Sequence, residues 1–194
     1  NISFTKEEPN IDSPTVLEKI INSSVQRLVA KKGSDGSTLI FQPGELVPFT
    51  GWAKMKRGDG VQYLQQMKMG KKEGFSILLK NGIKQSTGYW ERGEKNGVFV
   101  EWYENRQKAT TGNYKNGKMN GVHHSWYESG QKRGLVKWKL GQLISAEAWK
   151  PNGERCLETD VEGGSGVWVL YNEDGTEWIR SSYKDGNLGK VQPS

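Results

Sequence analysis

The residues of this chain that could carry out chemistry are few and are not grouped. His123 and His124 are adjacent in a segment of β-strand character, so their side chains should point to opposite faces, and no cysteine or carboxylate motif accompanies them at metal-ligand spacing. Cys156 is the single cysteine, which excludes an intramolecular disulfide, and it has no histidine near it in sequence. We therefore interpret it as an inert thiol in a strand, and we predict no catalytic residue, no metal ligand and no cofactor.

A glycine-rich stretch at residues 163–166 is the other candidate for chemistry, because such loops can cradle phosphates. A phosphate loop needs the N-terminus of a helix behind it, whereas residues 167–171 have the pattern of a strand. The stretch is therefore better interpreted as a junction between structural repeats.

Structural repeats make up most of the chain, because one sequence motif recurs every 22 to 24 residues. Segments 97–104 and 121–128 align with each other, and each copy ends on a glycine three residues after an aromatic or large apolar residue. These glycines are Gly70, Gly93, Gly117, Gly141, Gly163 and Gly186, with Asp160 standing where the ring is expected before Gly163. A period of this length indicates a stacked array whose units cannot bury a core alone. Six copies are predicted within residues 51–189.

Each copy has the pattern of a β-hairpin. Val98, Val100 and Trp102 alternate with side chains of a different kind, which is the period of two expected of a strand. Asn-Gly, Ser-Gly and Asp-Gly pairs predict the turns, and Arg106 replaces the glycine of one turn, which should therefore differ or be strained. The predicted fold class is mainly β: an elongated antiparallel β-meander of about six stacked hairpin repeats with one N-terminal α-helix.

Residues 1–50 form a different segment, predicted to hold that helix and to cap the array. Ser13 before Pro14, or Thr15 with Glu18, could start a helix, and apolar residues at helical spacing extend it over about 14–30. Lys31, Lys32 and Gly33 would end it. We expect the helix to cover the first hairpin, with a membrane surface or a partner as the alternative. Residues 39–41 predict a short strand, and residues 190–194 a tail.

Segments 126–132 (WYESGQK) and 114–121 (YKNGKMNG) resemble the MORN-variant repeat, the bacterial relative of the membrane occupation and recognition nexus repeat. The resemblance covers about seven tenths of the chain. It implies an elongated, twisted antiparallel sheet without enzymatic activity. Many bacterial members of the family are described as antitoxin components, and eukaryotic relatives are linked to membranes and scaffolding.

The charge pattern bears on the partner. The net charge is +6, but the lysines are dispersed beside turns and mixed with acids. This pattern is typical of a soluble sheet whose charged residues prevent its edge strands from pairing with other chains. The dispersion argues against a nucleic-acid partner. A protein partner is expected, an anionic membrane surface is the alternative, and a small-molecule ligand is left open. Recurring aromatic and basic residues form the candidate binding surface: Trp102, Tyr103, Trp126, Tyr127, Lys95, Lys118 and Lys132.

The sequence therefore predicts a non-enzymatic repeat scaffold that binds another protein, in a role like that of an antitoxin or immunity protein. An envelope- or lipid-associated scaffold is the alternative. A glycan-active enzyme, which would need two acids about 5 to 9 Å apart in a cleft, has the least support. The chain begins Asn1-Ile2-Ser3, which fits a mature exported protein and equally a trimmed chain, so export and a cytoplasmic location both stay open.

Overall fold

The computed structural model describes residues 9–32 and 36–193, and this part of the chain is mainly β with one helix. The helix is α1 (Pro14–Ser23). The strands are β1 (Val29–Lys32), β2 (Thr38–Phe41), β3 (Gly51–Lys56), β4 (Val61–Lys68), β5 (Lys71–Lys80), β6 (Ile83–Glu91), β7 (Glu94–Trp102), β8 (Lys108–Lys115), β9 (Lys118–Met119), β10 (Gly121–Trp126), β11 (Lys132–Lys139), β12 (Gln142–Ala148), β13 (Gly166–Tyr171), β14 (Glu177–Lys184) and β15 (Asn187–Pro193). Within the described residues, no helix has the length and apolar character that a membrane crossing requires.

The chain divides into two compact units, Asn1–Lys95 and Asn96–Ser194. In the first unit, β3, β4, β5 and β6 pair in sequence order as an antiparallel meander. Because cross-strand partners share a face, the pairs of Ile77 with Leu64 and with Thr87 place these three side chains on one side of the sheet. Helix α1 covers this side, and Ile20 packs there with the buried side chains of Trp52 and Phe75.

Helix α1 begins as predicted at Ser13 and Pro14, although the Ser13 side chain makes no capping hydrogen bond. The prediction that it extends to about residue 30 is wrong, because it ends at Ser23. Val25 leaves the helix to bridge β3 in parallel: its N–H donates to the carbonyl of Trp52, and its carbonyl accepts from the N–H of Lys54. These two backbone hydrogen bonds compete with continuation of the helix.

Residues 29–32, predicted to be the end of the helix, form strand β1 instead. β1 pairs antiparallel with β2, which contains the strand predicted at residues 39–41. Ile40 of β2 packs beside the buried Phe49 and Met67 in a second apolar cluster of the first unit. Gly33, predicted to close the helix, lies outside the described residues.

The second unit contains the hairpins of the later copies. Strands β7, β8, β10, β11 and β12 follow one another as antiparallel neighbours, and β9 makes a short pairing with β8. β13, β14 and β15 form a separate three-stranded antiparallel sheet. Between them lie two apolar clusters, one around Val136, Leu143 and Val161 and one around Ala148 and Val169. The predicted tail is wrong for residues 190–193, which belong to β15.

The fifth copy departs from the predicted hairpin, because β12 has no regular partner strand on its outer side. A bridge joins Trp149 to Arg155, and isolated backbone hydrogen bonds follow from Cys156 to Ala148 and from Ala146 to Val161. Thr159 hydrogen-bonds through its side chain to both backbone groups of Val169 in β13. The residues between β12 and β13 therefore form hydrogen bonds with both sheets, so they cannot form a regular strand of either sheet.

The turns between copies have one geometry. The two central residues both have positive φ, as a type I′ turn requires, in the pairs Met69-Gly70, Arg92-Gly93, Asn116-Gly117, Leu140-Gly141, Gly163-Gly164 and Asp185-Gly186. The second residue of the fifth pair is Gly164, with φ of 85°. The landmark glycine predicted at Gly163 is therefore displaced by one residue, because Gly163 takes the first position of the turn.

The turns within the later copies are longer. The N–H of Tyr127 donates to the carbonyl of Gln131, and the N–H of Gly130 donates back to the carbonyl of Tyr127. The turn at Arg106 repeats both hydrogen bonds, from Tyr103 to Gln107 and from Arg106 to Tyr103. The hydrogen bonding of this turn is therefore the same as that of the turn at Gly130. The difference is that a residue with a Cβ, Arg106, takes the left-handed conformation, with φ of 69°. The expected strain lies in this residue.

We expect Arg106→Gly to stabilise the protein by about 1 kcal/mol, because glycine adopts a positive φ without the steric cost that a Cβ brings. Chemical denaturation of the purified variant measures this. The matched control is Gly130→Ala at the equivalent turn position, where φ is 86°, and it should be destabilising. A lower denaturation midpoint for Arg106→Gly than for the wild type would contradict the assignment of strain.

Candidate functional site

One face of the meander in the second unit collects aromatic and aliphatic side chains. Val100 and His124 both pair with Thr111, and His124 also pairs with Leu135, so these four residues share a face. Alternation along the strands adds the remaining members. We call the apolar and aromatic members of this set the tryptophan face: Val98, Val100, Trp102, Val122, His124, Trp126, Leu135 and Trp149. Thr111 and Asn113 of β8 lie on the same side of the sheet.

The tryptophan face is partly open to solvent. Val98 and Val122 are 52% and 45% exposed, and Trp102, Trp126 and Leu135 are half-buried. None of the buried apolar clusters found within the described residues includes a member of this face. The opposite face of the same strands carries Val136, Ala146 and Ala148 into the core.

Ring contacts hold the aromatic members of the tryptophan face in place. The imidazole of His124 stacks on the Trp126 ring with 5.7 Å between centroids and 18° between planes. Lys132 pairs across the strands with Trp126, and its Nζ lies 3.6 Å from the centroid of the Trp149 ring. A cation over an indole is attracted by the negative ring face, so the ammonium group of Lys132 helps to hold the Trp149 ring in place beside Trp126.

Lysines surround these rings. The pairs Trp102 with Lys108, Lys115 with Lys118, and Val122 with Lys137 place lysines on the tryptophan face. By register and alternation, the charged residues that the described strands contribute to this face are Lys108, Lys115, Lys118, Lys132, Lys137, Lys139 and Glu147. Glu147 is paired with Arg155 at 3.5 Å. The face therefore mixes apolar and basic side chains, with Thr111 of β8 between Val100 and His124, and its net charge is positive.

The predicted binding residues separate into three groups in the structure. Trp102, Trp126, Lys118 and Lys132 share the tryptophan face. Tyr127, by contrast, is 1% exposed, and its hydroxyl donates to the carbonyl of Trp149 at 2.7 Å. A side chain with so little exposure cannot contact a partner, so Tyr127 belongs to the packing rather than to the surface.

Tyr103 repeats this role one copy earlier, since its hydroxyl donates to the carbonyl of Trp126 at 2.8 Å. Burial raises the pKa of both Tyr103 and Tyr127, while the nearby charge of Arg133 acts in the opposite direction. The Arg133 guanidinium lies 5.5 Å from the Tyr127 ring and 4.7 Å from the Trp178 ring, and it donates to the Tyr171 carbonyl at 2.9 Å. The two tyrosines therefore tie consecutive copies together.

Lys95, the remaining predicted residue, lies in the first unit. There Lys72 is held over two rings, with its Nζ 4.1 Å from the Trp90 centroid and 5.5 Å from the Tyr63 centroid. Burial and, to a smaller extent, the charge of Lys95 lower the pKa of Lys72. The charge of Lys95 therefore lies close enough to act on the Lys72 ammonium.

The two histidines lie in β10 and contact different neighbours, as the alternation predicts. The His123 ring meets the Tyr114 ring edge to face at 5.5 Å, and its Nε2 lies 2.9 Å from the Asn113 carbonyl oxygen. Gly112 makes room for this ring, because a Cβ there would lie 2.1 Å from His123 Nδ1. Burial lowers the pKa of His123. Within residues 9–32 and 36–193, no cluster of three potential metal ligands occurs.

Cys156 is buried, but it does not lie in a strand as predicted, because the fifth copy is irregular at this point. Its Sγ is 3.4 Å from the Tyr171 hydroxyl and 3.6 Å from the Thr159 hydroxyl, whose proton points to the Val169 carbonyl at 3.2 Å. Burial, and then the contact with Cys156, raise the pKa of Tyr171 above its ordinary value.

Several members of the tryptophan face were absent from the predicted surface. Val98, Val122 and His124 share a face with the tryptophans by strand alternation, a signal already present in the aligned copies. Trp149 could not be assigned in this way, because the fifth copy lacks the pairing that would fix its register.

Comparison of the chain with models of known protein families finds no match, and no curated protein matches it.

We expect Tyr127→Phe to destabilise the protein by about 1 to 2 kcal/mol, because it removes a buried hydrogen bond while keeping the ring. Equilibrium unfolding in urea measures this, and Tyr103→Phe, which removes the equivalent bond from a half-buried ring, is the matched comparison. Unchanged unfolding midpoints in both variants would show that these hydroxyls do not link the copies.

The lowered pKa of His123 also predicts a pH dependence. The unfolded chain binds a proton near pH 6.5 and the folded protein only at lower pH, so this contribution to stability is complete above about pH 6.5 and is lost as the pH falls. His123→Phe places here the ring that Phe99 supplies one copy earlier. Its melting temperature should fall less than that of the wild type between pH 7.5 and pH 5. Equal falls would contradict the assignment.

Proposed function

We propose that this protein is a non-enzymatic repeat scaffold that binds another protein, in a role like that of an antitoxin or immunity protein. The observation that carries this proposal is the tryptophan face, where exposed Val98 and Val122 share one side of the sheet with half-buried tryptophans. Contiguous exposed apolar side chains with aromatic anchors and a polar rim are typical of protein interfaces. Tryptophan contributes strongly to binding free energy at such surfaces.

The antitoxin-like role rests on the resemblance of segments 114–121 and 126–132 to MORN-variant repeats. In this role the sheet would cover a functional surface of a toxin by complementarity. Strand pairing and core packing fix the meander before any partner arrives, so binding would cost little ordering of the chain.

An envelope- or lipid-associated scaffold is the second candidate, and the lysines of the tryptophan face favour it. Basic side chains beside exposed apolar ones can hold a protein at an anionic bilayer. Co-sedimentation with vesicles of phosphatidylserine and phosphatidylcholine tests this candidate. Pelleting of the wild-type protein with these vesicles, but not with pure phosphatidylcholine, would favour it over the protein partner.

The experiment for the first candidate is affinity capture from a native lysate of the source cells at low and high salt, with the captured protein then purified and its binding measured directly. Lys95→Glu, Lys118→Glu and Lys132→Glu together should weaken binding of an acidic partner and flatten its salt dependence, because they reverse charges that attract it. A toxin among the captured proteins, neutralised on co-expression, would support the antitoxin-like role.

The matched control for this prediction reverses three exposed lysines outside the candidate surface, Lys56, Lys68 and Lys184, with the same change in net charge. Circular dichroism establishes that both triple variants keep the fold, which is needed because Lys132 also contacts Trp149. Equal binding of the wild type and the first triple variant at both salt concentrations would refute the electrostatic part of the proposal.

A further inference from the structure

We propose that the tryptophan face of the second unit is the docking site for an acidic amphipathic helix of the partner protein. This inference rests on the proposed function and names the chemistry of the partner. It is carried by a comparison of equivalent positions in the two units and by the charge of the face.

In the first unit, the strand positions equivalent to those of the tryptophan face are buried. Gly74, Gly97 and Gly121 all have positive φ and align in consecutive copies, so the positions after them are equivalent. Phe75, Ile77 and Leu79 then correspond to Val98, Val100 and Trp102, and one copy further to Val122, His124 and Trp126. The first set is buried in the cluster that contains Ile20 of α1.

Helix α1 contributes a short apolar stripe to that cluster. Val16, Leu17, Ile20 and Ile21 pack against or within the cluster, while Glu18 and Lys19 are exposed. This is the spacing with which one side of a helix meets a sheet. In the first unit, these strand positions and an amphipathic helix thus share one apolar core.

The second unit presents the same positions without such a cover among its described residues. Val98 and Val122 correspond to Phe75, yet they are about half exposed where Phe75 is 2% exposed. Trp102 and Trp126 replace the aliphatic Leu79 with half-buried rings, which are stronger interface anchors. An incoming apolar stripe would bury these side chains as α1 buries their counterparts.

The positive charge of the tryptophan face favours acidic residues on the polar side of the partner helix. By register and alternation, the described strands of the second unit place six lysines and one acid on the tryptophan face, and that acid, Glu147, is paired with Arg155. Glutamates flanking the apolar stripe of a partner helix would meet these lysines, and opposite charges would steer association and fix orientation. A basic helix would be repelled by the same lysines.

The experiment uses the full chain and a synthetic peptide of about 18 residues, which is long enough to form a helix in water. The peptide carries leucines at the spacing of Val16, Leu17, Ile20 and Ile21, and glutamate and alanine elsewhere. Fluorescence anisotropy of the labelled peptide measures its affinity. Nitrogen-15 spectra of the protein show whether the indole signals of Trp102, Trp126 and Trp149 shift while that of buried Trp52 stays in place.

We expect the acidic peptide to bind and to shift these three indole signals. Val98→Glu with Val122→Glu should weaken its affinity by about tenfold or more, because the pair removes the exposed apolar contacts and adds repulsive charge. Leu188→Glu is the matched control: Leu188 is 56% exposed and lies in β15 of the separate three-stranded sheet of the same unit, and its substitution should leave the affinity within about twofold. Circular dichroism verifies the fold of each variant.

Four results would overturn the proposal. The first is the absence of indole shifts at saturating peptide, and the second is equal binding of a scrambled peptide or of one with lysine in place of glutamate. The third is self-association of the wild type that Val98→Glu and Val122→Glu abolish, which would assign the face to a second copy of this chain. The fourth is binding of anionic vesicles that the same pair abolishes, with no binding of the peptide.

Failure of this inference is distinguishable from failure of the proposed function. If the peptide does not bind but a captured protein binds the wild type and the Val98→Glu, Val122→Glu variant equally, the scaffold role stands and the tryptophan face is not its docking site. If no protein binds directly in any assay while the peptide does, the face accepts helices but the scaffold role fails.

Discussion

The two-residue turns with positive φ are the constraint on which the rest of this structure depends. Each such turn fixes the register of its hairpin, and a slip of one residue would move every side chain to the opposite face. Because the same turn recurs once per copy, equivalent residues lie on the same face of successive hairpins. The N–H of the second turn residue also reaches the preceding copy, as in the bonds from Gly93 to Lys72 and from Gly141 to Met119. One local geometry thus sets both the hairpins and their stacking.

With the register fixed, the two faces of each sheet can have different uses. In the first unit, α1 closes one face over Phe75 and Ile77. In the second unit, β13–β15 close one face over Val136 and Ala148. The tryptophan face keeps exposed valines, stacked rings and lysines. Apolar positions that serve as core in one copy therefore become surface in another.

The tyrosines show the same division of roles. Tyr103 and Tyr127 follow directly after Trp102 and Trp126 in sequence, yet they point to the opposite side and donate hydrogen bonds to the next copy. Adjacent aromatic residues thus have unrelated functions: one ring contributes to the packing between copies, and the other contributes to the surface. Because these hydroxyl bonds recur from copy to copy, the strand ends that carry the tryptophans are held in position.

The sequence by itself determined the fold class, the repeat and most of the turns, because glycine spacing and strand alternation are local properties that each copy restates. It also marked Trp102, Trp126, Lys118 and Lys132, which the structure places on one face. The end of α1, the irregular fifth copy and the burial of Tyr127 were decided by the tertiary structure. Each depends on a contact distant in sequence: Val25 with β3, Thr159 with β13, and the Tyr127 hydroxyl with Trp149. Hydrogen-bond competition across such distances leaves no periodic signal in the chain, so only the folded structure could decide it.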